Sequence, residues 1–179
     1  ALSLSLTAAS PYASKLRRFR AGKKGGGPLA GTLYISSLIT PPNVIMTIER
    51  NIAFIAKGLK SLVNKLNGSL LSCQSNESYY SIPDNTLDYI FLDPPFGSNL
   101  NYSELNFLWE SWLKVLTNNK PEAIINSIQK KGPLEYRQLM LVCFREAYRI
   151  LKPGRWMTVE FSNTKASVWN SIQTALTEA

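Results

Sequence analysis

Four consecutive residues carry the groups most able to do chemistry: Asp93-Pro94-Pro95-Phe96. They present an acceptor carboxylate, two carbonyls beside rigid proline rings and an aromatic face. Proline usage is about 5%, so a Pro-Pro pair arises by chance roughly once per 400 positions. The chain has no histidine, which excludes Ser-His-Asp and Cys-His catalysis and most zinc sites. No metal site is expected. The two cysteines, Cys73 and Cys143, are too few for a disulfide scaffold and fit a reducing cytoplasm.

The element that must position this group is the strand before it. Asp88-Tyr89-Ile90-Phe91-Leu92 is a short apolar run after an acidic residue, and reads as a strand buried on both faces. Asp93-Pro94-Pro95 ends it, because proline has no N–H to give a ladder. The polar groups therefore stand at the carboxyl end of a buried strand, where open α/β sheets hold ligands.

Asp93-Pro94-Pro95-Phe96 resembles motif IV of the amino-methyltransferases, which methylate adenine N6 or cytosine N4 in DNA. The resemblance continues from Gly97 through Asn101, Ser103 and Asn106 to Trp109 and Glu110. That longer run looks like the DNA methylases encoded beside restriction-type systems. The resemblance implies S-adenosyl-L-methionine as cofactor and DNA as partner, with a restriction-system protein or the remainder of a longer chain beside it. It implies that Asp93 and the Pro94 carbonyl accept the two amino hydrogens of the base, with Pro95 stiffening the turn. The lone pair then aims at the cofactor's methyl, so positioning and electrostatics carry the rate. Phe96 stacks on a base that has left the duplex. Asp93 and Gly97 also lie against the cofactor. In the family an acidic residue at another strand end contacts the cofactor's adenine; here Ser75 and Asn76 stand nearest that place, a departure from the pattern. Neither cysteine follows proline, which disfavours methylation of cytosine C5.

Lys and Arg number 20 against 12 Asp and Glu, a net charge of +8, which suits a polyanionic partner. No apolar run reaches membrane-spanning length, and a membrane partner is not expected. Residues 1–30 read as a flexible basic segment. Ala1 to Leu6 alternates like a short strand, and Lys15, Arg17, Arg18, Arg20, Lys23 and Lys24 form a basic arm flanked by glycines. That arm is either a solvated linker or a set of groups that meet phosphates.

Residues 31–179 read as the catalytic part of a methyltransferase domain. Gly31 to Ile35 is a short strand or an extended segment. Thr40 caps a helix with Pro41 and Pro42 in its first turn. Its apolar stripe, Val44, Ile48, Ile52, Ile55, Leu59, Leu62 and Leu66, is expected in the core. Asn67-Gly68 stops it, and Ser69 to Cys73 is a second strand. Ser103 caps a helix to Leu116, with Leu105, Leu108, Trp109, Trp112 and Leu116 buried for packing. Residues 117–132 form a polar, basic connection with a short helix from Pro121, placed as a lid or substrate loop. Leu134 to Leu151 is the clearest helix, carrying a structural Cys143. Lys152-Pro153-Gly154 turns into a strand over 155–161, a pattern similar to the fourth-to-fifth strand connection of methyltransferases. A final helix runs from Ala166 to Ala179.

Strands alternating with helices give an α/β fold, here a partial Rossmann-like methyltransferase sheet of about three strands. The family's Gly-x-Gly cofactor turn is not found. Gly25-Gly26-Gly27 follows no convincing strand and precedes proline. The chain is therefore expected to be part of a larger enzyme, weak or inactive alone. The competing expectations are an RNA or protein-glutamine amino-methyltransferase, or a non-catalytic basic DNA-binding fragment.

Overall fold

The computed structural model describes residues 2–22, 26–40, 42–62 and 68–179. Among them are five helices and two parallel strands: α1 (Leu2–Ala9), α2 (Val44–Leu62), β1 (Leu87–Leu92), α3 (Tyr102–Leu113), α4 (Pro133–Ile150), β2 (Leu151–Val159) and α5 (Ala166–Glu178). The fold is mixed α/β. The chain divides into two compact units: residues 1–71 with 102–117, and residues 72–101 with 118–179.

The second unit holds the sheet. β1 and β2 pair in parallel, with Ile90 opposite Met157 and Leu92 opposite Val159. Such a pair needs a long crossover, which α4 supplies. The register shifts between Leu87 and Tyr89, where β2 accommodates Lys152-Pro153-Gly154. Pro153 cannot donate to a ladder, and Gly154 takes a positive φ of 72°, so the irregularity falls where these residues permit it.

Side chains alternate across a strand, and among the described residues of this unit one face of the pair is covered. Ile90 packs with Ala147 and Ile150 of α4. Tyr136, Met140 and Phe144 of α4 join Val168, Ile172 and Ala175 of α5, with Leu92, Met157 and Val159 against them. Tyr89, Phe91 and Trp156 remain exposed on the other face. The expectation that the strand is buried on both faces is thus corrected: α4 and α5 both lie on one side. Glu146 and Arg149 of α4 fasten the preceding loop. The Glu146 carboxylate accepts from the Tyr79 amide at 2.6 Å and from Arg149, and Arg149 reaches the Ile82 carbonyl and Asp84. The Arg149 hydrogen bonds, then the Tyr79 amide, hold the Glu146 carboxyl down at about 2. Burial, aided by Glu77, raises the Cys143 thiol to about 11, in keeping with a packing role.

In the first unit, residues expected to be extended form α1. Ser5 and Ala9, one turn apart, are its buried positions. Residues 2–22 are structured: Arg18 pairs with Ile39 in an antiparallel bridge, flanked by Phe19 N–H to Leu38 and Thr40 N–H to Arg17. Lys23 and Lys24 lie outside the described residues. No strand forms at 31–35. The cap of α2 is Asn43, whose Oδ1 accepts from the Met46 amide at 3.0 Å, and not Thr40, because Asn43 is the residue directly before the helix.

The stripe of α2 is also not core. Only Thr47 is buried and Ile48 and Ile55 are half-buried, while Val44, Ile52, Leu59 and Leu62 are exposed, because little of the described chain covers the helix beyond its first turns. Ile48 and Val44 line an apolar cavity of about 400 Å³ with Leu6, Ala9, Leu108 and Trp112. Lys65, Leu66 and Asn67 lie outside the described residues. α3 begins at Tyr102, one residue before the expected cap, and Leu116 lies beyond its end. Trp112 and Leu116 are exposed, since Glu110 takes the inward position and is held by the Thr117 amide and hydroxyl.

Candidate active site

β1 runs Leu87–Leu92 and its last carbonyl, Leu92, accepts from the Glu160 amide at 2.9 Å. The ladder stops there. Asp93-Pro94-Pro95-Phe96 begins at the carboxyl edge of the parallel pair, as its sequence requires.

The loop is held by a donor on each of three successive carbonyls. The buried Tyr136 hydroxyl, from the first turn of α4, donates to the Pro95 carbonyl at 2.7 Å. Asn163 Nδ2, just past β2, donates to the Phe96 carbonyl at 2.8 Å. The Ile125 amide donates to the Gly97 carbonyl at 3.1 Å. Gly97 itself turns the chain: its φ is +68°, and its amide donates to the Pro95 carbonyl at 3.1 Å. A Cβ at Gly97 would stand 2.8 Å from Val168 Cγ1. Only glycine meets both demands, the left-handed backbone and the close approach of α5.

The two groups before these carbonyls are left open. Among the described residues, nothing hydrogen-bonds the Asp93 carboxylate or the Pro94 carbonyl. Asp93 is exposed and Pro94 half-buried. The Phe96 ring is half-buried and meets Phe161 edge-on, centroids 5.2 Å apart. Phe161 in turn meets Trp169 at 4.9 Å. Trp169 donates from Nε1 to the Asn163 carbonyl at 2.8 Å. This aromatic chain and Asn163 fix one side of Phe96.

The structure thus brings Asp93, Pro94, Pro95, Phe96 and Gly97 together. It does not bring Ser75 and Asn76 to a strand end. Residues 69–75 form no strand, because Leu70 and Leu71 find no partner and are 91% exposed. Ser75 accepts from the Glu77 amide, and Asn76 from the Tyr79 hydroxyl. Tyr79 packs on the Ile90–Ile150 cluster, so both residues serve a local turn.

The connection over 117–132 also departs from expectation. It has no helix at Pro121, since the Asn126–Lys131 bridge organises it instead. Lys131 is buried, donating to the Asn119 and Glu122 carbonyls at 2.7 Å each. Burial lowers its pKa, with Glu122 opposing. Through Ile125 this segment braces Gly97. Tyr136, Asn163 and Ile125 are the positioning groups that sequence reasoning missed. Asn163 had a signal, a polar residue just past the second strand's carboxyl end. Tyr136 stands on the apolar face of its helix with Met140 and Phe144, and its spacing does not mark the hydroxyl.

Among the described residues no group of three or more His, Cys, Asp or Glu is placed to hold a metal ion, and no helix is long and apolar enough to cross a membrane. Comparison with protein-family models, curated proteins and solved structures finds no match.

Proposed function

We propose that the chain carries the methyl-transfer site of a DNA amino-methyltransferase using S-adenosyl-L-methionine, acting on adenine N6 or cytosine N4. The observation that carries this reading is the pattern of open and occupied acceptors. The Pro95, Phe96 and Gly97 carbonyls each have a donor, whereas the adjacent Asp93 carboxylate and Pro94 carbonyl have none among the described residues. An exocyclic amino group offers two N–H donors and has a lone pair conjugated with its ring. Two acceptors at one corner can take both hydrogens and let the nitrogen turn pyramidal. The half-buried Phe96 ring beside them offers a stacking face for a flipped base.

Of the residues present, Asp93 and the loop would face the cofactor's methionine end, and the cofactor supplies the methyl group. Asp at position 93, where RNA and protein-glutamine methylases commonly have Asn, favours DNA. The test is tritium transfer from millimolar labelled S-adenosyl-L-methionine to unmethylated DNA, RNA and protein. Label is expected on DNA amino groups and lost in Asp93→Ala. Transfer by Asp93→Ala within a few-fold of wild type would remove Asp93 as the acceptor, and label on RNA or protein but not on DNA would reject the reading.

A further inference from the structure

The net charge of the chain is not shared between its two units. The first contains eleven Lys and Arg against three Glu, and the second nine against nine. The whole +8 therefore belongs to the unit that does not hold β1 and its loop. The ion pairs of Arg149 with Asp84 and Glu146, and of Asp88 with Lys152 and Arg155, all belong to the second unit.

Within the first unit, a cavity of about 560 Å³ has Arg17 and Arg50 in its wall, with Tyr12, Asn43, Met46 and Thr47. Among the described residues, no carboxylate lines it. Neither arginine has an acidic partner among the described residues. Glu49 is next to Arg50 in the chain, yet is not part of the wall.

Both arginines stand on fixed elements. The Arg17 carbonyl accepts from the Thr40 amide at 3.1 Å, beside the Arg18–Ile39 bridge. Its Nε donates to the Gly26 carbonyl at 3.1 Å, which anchors the guanidinium at the cavity that Arg17 and Gly26 both line. Arg50 lies on α2 one turn from Met46 and Thr47. Thr47 is the buried residue of that helix, and its hydroxyl donates to the Asn43 carbonyl at 2.8 Å. The amide of Met46 is already used by Asn43 Oδ1, so attraction for an anion rests on the guanidinium groups. Two guanidinium groups that line one cavity without a counter-charge among its lining residues are stabilised by an anion that enters it. A phosphate group matches that geometry, since a guanidinium bonds it bidentately.

We infer that this cavity is a phosphate-binding site, with Arg17 and Arg50 as its charged donors, taking a phosphodiester of a nucleic-acid strand or an isolated phosphate group. The inference is independent of the methyl-transfer reading, because its residues lie in the other unit.

The test measures anisotropy of a labelled DNA duplex, about one helical turn long, with the full chain across a salt series. Arg17→Gln combined with Arg50→Gln is expected to weaken binding about ten- to hundredfold. The slope of log K against log salt should become shallower by about one for each phosphate that is no longer neutralised. Lys57→Gln with Lys60→Gln removes the same charge from α2 outside the cavity, and is expected to weaken binding less than about threefold by the same electrostatic reasoning. Equal effects in the two double variants would overturn the site in favour of diffuse attraction, as would unchanged binding without Arg17 and Arg50. Arg50→Gln alone keeps the measurement available if the double variant unfolds, and is expected to weaken binding several-fold; unchanged binding overturns the site. Inorganic pyrophosphate that competes at millimolar concentration assigns an isolated phosphate group. DNA binding that pyrophosphate does not displace, but that still requires both arginines, assigns the phosphodiester. Label transfer and DNA anisotropy are separate measurements on residues of different units, so failure here is told apart from failure of the methyl-transfer reading.

Discussion

Phe96 has a ring that a base can use only on the side Phe161 leaves open. If it stacks on a flipped base, Phe96→Ala should weaken DNA binding by about 1–3 kcal/mol, and Phe96→Trp should largely preserve it. Unchanged affinity in Phe96→Ala, measured on the DNA that accepts methyl groups, would make the ring a packing residue. Tyr136 acts one step further back. Tyr136→Phe keeps the buried ring and removes the donor to the Pro95 carbonyl. We expect a stability decrease of about 1 kcal/mol. The methyl-transfer rate should fall while cofactor affinity holds, because the loop is loosened and its acceptors remain. Single-turnover kinetics beside calorimetry separates the two effects.

At the scale of elements, the loop depends on α5 approaching Gly97. Gly97→Ala forces a side chain into a left-handed backbone and against Val168 Cγ1 at 2.8 Å. The two costs together come to about 2–5 kcal/mol, to be read from urea denaturation. A decrease below about 0.5 kcal/mol would mean that α5 yields easily there. The fastening of α4 to the 79–84 loop carries a pH dependence. Glu146 has its folded pKa lowered from the ordinary 4.5 to about 2. Its contribution is fully present above about 4.5 and is lost as pH falls through about 2. Glu146→Gln should therefore be less stable than wild type at neutral pH, by about 1–2 kcal/mol for weakened charge-assisted hydrogen bonds. The difference should shrink as pH falls from 4.5 towards 2. Parallel stability curves for the two proteins over that range would place the acid sensitivity elsewhere.

At the scale of the whole molecule, the proposed transfer site and the positive charge belong to different units. The sequence also offers no Gly-x-Gly turn after a strand by which backbone could approach the cofactor. Several hydrogen bonds at roughly 1 kcal/mol each are then missing. We expect S-adenosyl-L-methionine to bind at millimolar concentration or weaker by calorimetry; micromolar binding would mean that other backbone fills that role. Local signals were sufficient where the chain supplies them alone. The Asp93-Pro94 break ended β1, the apolar periodicity over 134–150 made α4, and Ala166 opened α5. The same signals misled at α1, at 69–73 and along α2, because alternation or a stripe becomes a strand or a core only when a partner covers it. Sequence alone placed Asp93, Pro94, Pro95 and Phe96 at a strand's carboxyl end, since proline stops a ladder wherever it occurs. Only tertiary structure decided which acceptors of that loop are left open. Tyr136, Asn163 and Ile125 reach it from three segments distant in the chain, and no spacing in the sequence records where those segments converge.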